Sequence, residues 1–254
     1  NSGTNQISIL NAKDVNNFIY SLFTSGNLTF NAVLAQPFIY LDASNESLFV
    51  YNATSKVISA ITVPNMSFAS VGGKWTSNFL NGKGVIDFTG QTGIIVSNSL
   101  TSALGSSSIW SISFLIQANS SVGAYTASYI GNSAVRMADN FQNPQSFTDA
   151  YPFSIGGGIN ASTTFTVADN WYLFTISRNG SSSDTYYYIN NIFCGSGSQG
   201  NSGDLKQFCL NTFHTGVSGS PGQKRFAEVR VYKSYFSSAD VNTLYQSVKS
   251  KWGI

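Results

Sequence analysis

The strongest constraint in this sequence is its closing segment, Arg225 to Ile254, where one strand pattern hands over to one helix pattern. Phe226, Glu228, Arg230 and Tyr232 alternate with Ala227, Val229, Val231 and Lys233, the period of two expected of a strand. Ser237 and Asp240 then supply the S-x-x-D spacing of a capping box, which opens a helix. On that helix Val241, Leu244, Tyr245, Val248 and Trp252 recur at helical spacing, so one stripe must face the body of the protein.

Upstream, strand and turn signals dominate. PFIYLDAS from Pro37 is a strand candidate, and KGVIDFTG and TGIIVS are two short ones separated by a glycine turn. SIWSISFLIQA is the clearest central strand, with Trp110, Ile112, Phe114 and Ile116 on one face and Ser111, Ser113 and Leu115 on the other. SYIGNS, PFSIGGGI and STTFTVA follow as shorter candidates, and WYLFTISR and TYYYINNIF pair around the turn residues NGSSS. No long helical period intervenes between residues 37 and 236, which excludes alternating βαβ units and predicts an antiparallel sandwich or jelly roll. Residues 1–36 differ. Asn11 and Asp14 have capping-box spacing, and Val15, Phe18, Ile19 and Leu22 form the apolar stripe of a short helix ending before Gly26. That stripe is buried either on this domain or on a neighbouring subunit, making 1–36 a candidate assembly arm and 37–254 the β domain.

Composition narrows the setting. Only 9% of residues are charged, against about 25% in ordinary soluble domains, and Ser, Asn, Gly, Thr and Tyr take their place. Such a surface suits a protein outside the cell, on a cell surface or on a virion. A net charge of +2 without a Lys/Arg cluster gives no footprint for nucleic acid. No apolar run reaches the ~20 residues of a membrane helix. Cys194 and Cys209 flank the loop GSGSQGNSGD. Bridged, they would close a loop worth about 3 kcal/mol; the alternative is a pair of thiols.

Three segments resemble the laminin-G-like branch of the concanavalin A-like lectin/glucanase superfamily, in the form common in bacterial, phage and large-virus surface proteins. LDAS at 41–44 is similar to the opening motif of these modules, and NGKGVIDFTG at 81–90 to an inner strand. FAEVRVYKSYFSSADVNTLYQSVKSKWGI is similar to their ending, and NWYLFTISRNG with TYYYINN to their penultimate hairpin. The resemblance implies an all-β, antiparallel jelly-roll β-sandwich with a C-terminal helix, here with a short N-terminal helical extension. The chain departs from it at VYNATSKVISAITV, where many relatives carry a W-x-D-x-S-G-N segment.

The superfamily includes glycoside hydrolases, which need two carboxylates about 5–5.5 Å apart in retaining enzymes. This chain has only two glutamates, Glu46 and Glu228, and no E-x-D-x-E motif; no enzyme activity is expected. Glu228 and Trp252 are expected to latch the last strand to the last helix. His214 is the sole histidine and flanks an aromatic, so neither a triad nor a zinc site is expected. Relatives bind calcium through loop carboxylates and carbonyls, and Asp139 with Asn140, or Asp204, are the candidate ligands here. No other cofactor is expected.

In TYYYIN, Tyr186 and Tyr188 share one face and Tyr187 takes the other, predicting at least one exposed face. Tyr187, with Asn140, Asn143 and Tyr151 from the loop 137–153, forms the candidate ligand-binding rim. The expected function is a non-catalytic recognition module for a glycan or cell-surface ligand. The alternative is a structural subunit of a virion or fibre that self-associates through residues 1–36.

Overall fold

The computed structural model describes residues 34–69, 71–89, 95–97, 109–117, 128–131, 136–139, 153–155, 170–180, 184–198, 207–210 and 225–254. Side chains within 95–96, 128–131, 136–139, 153–155 and 207–209, and those of residues 184, 197 and 198, are outside that description. The chain divides between Leu34 and Ala35, and the second unit, Ala35–Ile254, is the β domain.

The large antiparallel sheet contains β1 (Ile39–Asp42), β4 (Lys74–Leu80), β5 (Lys83–Asp87), β7 (Ile109–Gln117), β11 (Trp171–Asn179), β12 (Asp184–Ile189), β13 (Ile192–Ser198) and β15 (Arg225–Tyr232). Its order is β13-β12-β11-β7-β15-β5-β4, with β1 also paired to β15. A second sheet has the order β10 (Phe153–Ile155), β9 (Arg136–Asp139), β8 (Ser128–Gly131), β14 (Gln207–Leu210) and β6 (Ile95–Ser97). A hairpin of β2 (Phe49–Tyr51) and β3 (Ile58–Ile61) follows a 3-10 turn at Glu46–Leu48. The closing helix, α1, spans Ser238–Trp252. The architecture is an all-β sandwich of jelly-roll type with a C-terminal helix.

β7 lies at the centre of its sheet, as its sequence predicts. Trp110, Ile112, Phe114 and Ile116 join the core cluster with Phe174 and Ile176 of β11, Tyr187 and Ile189 of β12, and Leu210 of the second sheet. The opposite face is also covered, since Ser111, Ser113 and Leu115 are buried. Small hydroxyl side chains there let the segment between β15 and α1 cross close to the sheet. Ser111 Oγ donates to Ser234 O (2.8 Å), and Ser177 Oγ accepts from Phe236 N (2.8 Å).

The closing strand departs from strict alternation. Phe226 pairs with Ile116 but Glu228 pairs with Leu115, so Ala227 is the extra residue of a β-bulge. Strict alternation predicts Phe226 on the face of Glu228. The bulge instead turns Phe226 into the core with Val229 and Val231, leaving Glu228, Arg230 and Tyr232 on the helix side. KGVIDFTG and TGIIVS also part company: β5 and β6 belong to different sheets. Asp87 Oδ1 accepts from Thr89 N (2.7 Å), turning the chain away after β5. β2, β3 and β4 were not legible as strands, because each is short or carries an exposed polar run such as Ser77–Asn78.

The predicted capping box is present: Ser237 Oγ accepts from Asp240 N (3.3 Å), and Asp240 Oδ2 accepts from Ser237 N (2.9 Å). Gly253 closes the helix in the left-handed region (φ 70°, ψ 38°), where glycine carries no Cβ penalty. Val241, Leu244, Val248 and Trp252 are all buried. At roughly 1.5–3 kcal/mol per buried side chain, this stripe is the main force docking the helix. Tyr245, at the stripe's edge, is only half-buried.

Candidate functional site

The helix spans two different environments on the same sheet face. Its C-terminal end meets a buried polar hub, and its N-terminal end meets a half-exposed group of aromatic rings.

At the hub, Glu228 is 2% exposed. Its Oε2 accepts from Trp252 Nε1 (2.8 Å), Tyr40 OH (3.0 Å), Arg230 NH2 (3.1 Å) and Lys251 Nζ (3.2 Å). Arg230 Nε lies 2.8 Å from Oε1 as an ion pair, without hydrogen-bond alignment. Lys251 also pairs with Asp42 Oδ2 at 2.7 Å, while Asp42 Oδ1 accepts from Ser44 N and Ser44 Oγ. Burial pushes the Asp42 carboxyl up, but Lys251 and Ser44 outweigh it and hold it below the ordinary value of 3.8. Burial, reinforced by Glu228, pushes the Tyr40 phenol far above its usual range, so it remains a neutral donor. Asn81, in the β4–β5 turn, donates through Nδ2 to Trp252 O and to Gly253 O (3.1 Å). Gly84 is required nearby, because a Cβ there would lie 2.8 Å from Ala43 O and the Trp75 ring.

LDAS, NGKG and KWG thus converge on one structural junction. Glu228 and Trp252 bond directly across strand and helix. Four side chains enclose the Glu228 carboxylate, which is 2% exposed. Glu46, the other glutamate, sits in the 3-10 turn and accepts a hydrogen bond from Tyr51 OH.

The aromatic group lies on β12 and β13, at the edge of the large sheet. The Tyr186 ring centroid is 5.7 Å from that of Tyr235 in a T-shaped arrangement and 6.4 Å from Phe193. Tyr188 lies 5.5 Å from Phe193, and its hydroxyl is 3.2 Å from Ser238 Oγ at the start of α1. Phe193 is 51% exposed and Ile192 48%. Tyr186 and Tyr235 are half-buried, and neither phenol has a hydrogen-bond partner among the described residues. Burial, together with the neighbouring Tyr188, Tyr186 and Asp240, pushes the Tyr235 phenol up, keeping it neutral. Beside the rings, Asn191 Nδ2 donates to Asn242 Oδ1 (3.0 Å), which leaves Asn191 Oδ1 and Asn242 Nδ2 open to solvent. Apolar ring surface, two phenols and two amides therefore meet on one ledge.

Tyr187 does not belong to that ledge. It is 1% exposed, in the core cluster, and offers no face to a ligand. A bulge between Tyr187 and Tyr188 shifts the β12–β13 register, and Tyr187 packs into the core cluster that also holds Leu210 of the second sheet. Phe193 and Tyr235 carried no signal in the sequence. Their exposure follows from the sheet edge and from the path of the β15–α1 turn. Asn140, Asn143, Tyr151 and Asp204 lie outside the described residues, as do Val15, Phe18, Ile19 and Leu22. Asp139 ends β9, its side chain outside the description. Cys194 Sγ lies 3.3 Å from Ile192 O; the Cys209 side chain is outside the described residues. Among the described residues no group of three His, Cys, Asp or Glu side chains could hold a metal ion, and no helix is long and apolar enough to cross a membrane.

No protein-family model matches the chain, and no curated protein matches it. Solved structures do resemble it. Domain 4 of AbnA, an extracellular GH43 arabinanase from Geobacillus stearothermophilus, in complex with arabinotriose, is 16% identical with a TM-score of 0.57. That match covers 84% of this chain and 99% of that one. The binding domain of botulinum neurotoxin serotype D/C is 12% identical with a TM-score of 0.55, over 84% of this chain and 52% of its own. A botulinum neurotoxin type C whose uptake into cells depends on two ganglioside molecules is 14% identical with a TM-score of 0.50. That match covers 79% of this chain and 51% of the toxin chain, so this chain spans about half of either toxin structure. At such identities the likeness is one of fold: the chain shares a β-sandwich architecture with them.

Proposed function

We propose that this chain is a non-catalytic, surface-exposed recognition module that binds glycans on the ledge formed by Tyr186, Phe193, Tyr235, Asn191 and Asn242. The observation that carries the reading is the exposed Phe193 ring beside two phenols and two amide groups with bonding capacity to spare. Ring faces stack on the C–H faces of sugars, while phenol and amide groups fix hydroxyl orientation. This is the mix of apolar surface and few placed polar groups typical of ligand sites. Supporting context comes from structural neighbours that include a domain solved with arabinotriose and a ganglioside-dependent toxin. An extracellular, cell-surface or virion-surface location fits the same reading. The test is a glycan array probed with the intact chain and with Phe193→Ala. We expect saturable binding to a subset of glycans, lost in the variant; a blank array at millimolar ligand would sink the proposal.

A further inference from the structure

A second recessed site lies where β15 ends. Ala35, Gln36, Pro37, Phe38, Asn65, Lys233 and Ser234 line a cavity of about 370 Å³, within the ~300–1,000 Å³ range of small-ligand sites. Two hydrogen bonds fix its wall. Phe38 N donates to Val231 O (2.7 Å), extending the β1–β15 ladder, and Asn65 Nδ2 donates to Phe38 O (2.9 Å). Asn65 itself stands at φ 63° in a turn closed by Met66 N to Val63 O. Pro64 precedes it, an order suited to a type II turn.

Lys233 is the cation of this cavity. Unlike Arg225, Arg230 and Lys251, it has no carboxylate partner among the described residues, and it lies closer to an aromatic ring than Lys56 does to Tyr51 (4.9 Å). Its Nζ sits 3.6 Å from the centroid of the Phe38 ring. One side of the ammonium is therefore held on the ring, and the rest faces the cavity. Pro37 and Phe38 give the wall an apolar surface, and the Gln36 and Asn65 side chains add amide groups at its rim. None of the described lining residues is acidic.

We infer that this cavity binds the carboxylate of an acidic sugar, with Lys233 as the charge partner and the Phe38–Pro37 wall against the sugar ring. An ammonium without a carboxylate selects an anion, and an apolar wall with amides at its rim selects a polyhydroxylated ring over a bare ion. The inference stands apart from the aromatic ledge, which shares no residue with it.

The test is an NMR titration of the isotopically labelled full chain with glucuronate, glucose and acetate. With glucuronate we expect saturable shifts at Gln36, Phe38, Asn65, Lys233 and Ser234, and at least tenfold weaker responses with glucose and with acetate. Lys233→Gln should weaken glucuronate binding tenfold or more, and Lys233→Arg should retain most of it. Because Lys233 is exposed, both variants should keep the wild-type melting temperature, which separates lost binding from lost folding. Phe193→Ala should leave the glucuronate response unchanged, so failure of the ledge and failure of this cavity are distinguishable. Absence of saturable shifts, acetate binding as tightly as glucuronate, or an undiminished response in Lys233→Gln would each overturn the inference.

Discussion

The two ends of helix α1 rest on the same sheet face but are built on opposite principles. At the C-terminal end, charges are buried or half-buried and paired with one another, and Trp252 reaches Glu228 across the strand–helix junction. At the N-terminal end, uncharged rings are left half-open around Phe193, with polar groups unspent. A buried hub of paired charges gives orientation and register; an exposed ledge with open polar groups is free to take a ligand. Glu228 is thus structural, and among the described residues the groups left open to a ligand are neutral aromatic and amide groups and lysines such as Lys233 that have no carboxylate partner.

Glu228→Gln should break the latch most severely. The substitution leaves Arg230 and Lys251 without their shared charge in a buried place, which costs about 3–5 kcal/mol. Urea unfolding should show it as a large fall in midpoint; a loss below about 1 kcal/mol would mean that the hub is not satisfied in the way described. Asp42→Asn should follow, at about 1.5–3 kcal/mol for lost charge-assisted bonds, with a pH signature. The folded Asp42 carboxyl lies below its ordinary 3.8, so the unfolded chain takes up the proton first. Its contribution is complete above that ordinary value and is lost as pH falls through the depressed folded value. Wild type and Asp42→Asn should therefore differ at pH 6 and converge in acid; a gap that stays constant down to pH 2 would contradict the assignment.

Ser237→Ala removes the helix cap and should cost about 1 kcal/mol, measurable as a small shift in thermal midpoint with ligand binding intact. That variant sharpens the comparison, because Ser237 lies beside the ledge in sequence but serves the helix.

The hub was legible in the sequence because its parts are ones that pattern reasoning can see. A capping box has fixed spacing, a helical stripe has a period, and Glu228 and Trp252 sit in segments with a family likeness. β7 was equally readable, its apolar and hydroxyl residues alternating across two buried faces. The ledge was not. Whether Tyr186 or Tyr187 is exposed depends on which layer covers each face of β12, and on the bulge that shifts β13 against it. Tyr235 joins through the path of a turn across the sheet, and Asn242 through the helix docking that brings it to Asn191. The bulge at Ala227 illustrates the same limit: one inserted residue reverses the side on which Phe226 points, and no local pattern announces it.

The most direct measurement pairs binding with stability in one variant. Phe193→Ala, titrated calorimetrically with the best glycan from the array and unfolded in urea under the same buffer, should bind at least tenfold more weakly, about 1.4 kcal/mol. Its unfolding free energy should stay within about 0.5 kcal/mol of wild type, as for other surface substitutions. Undiminished affinity, or a loss of affinity accompanied by a comparable loss of stability, would contradict the assignment of the ledge as the binding surface.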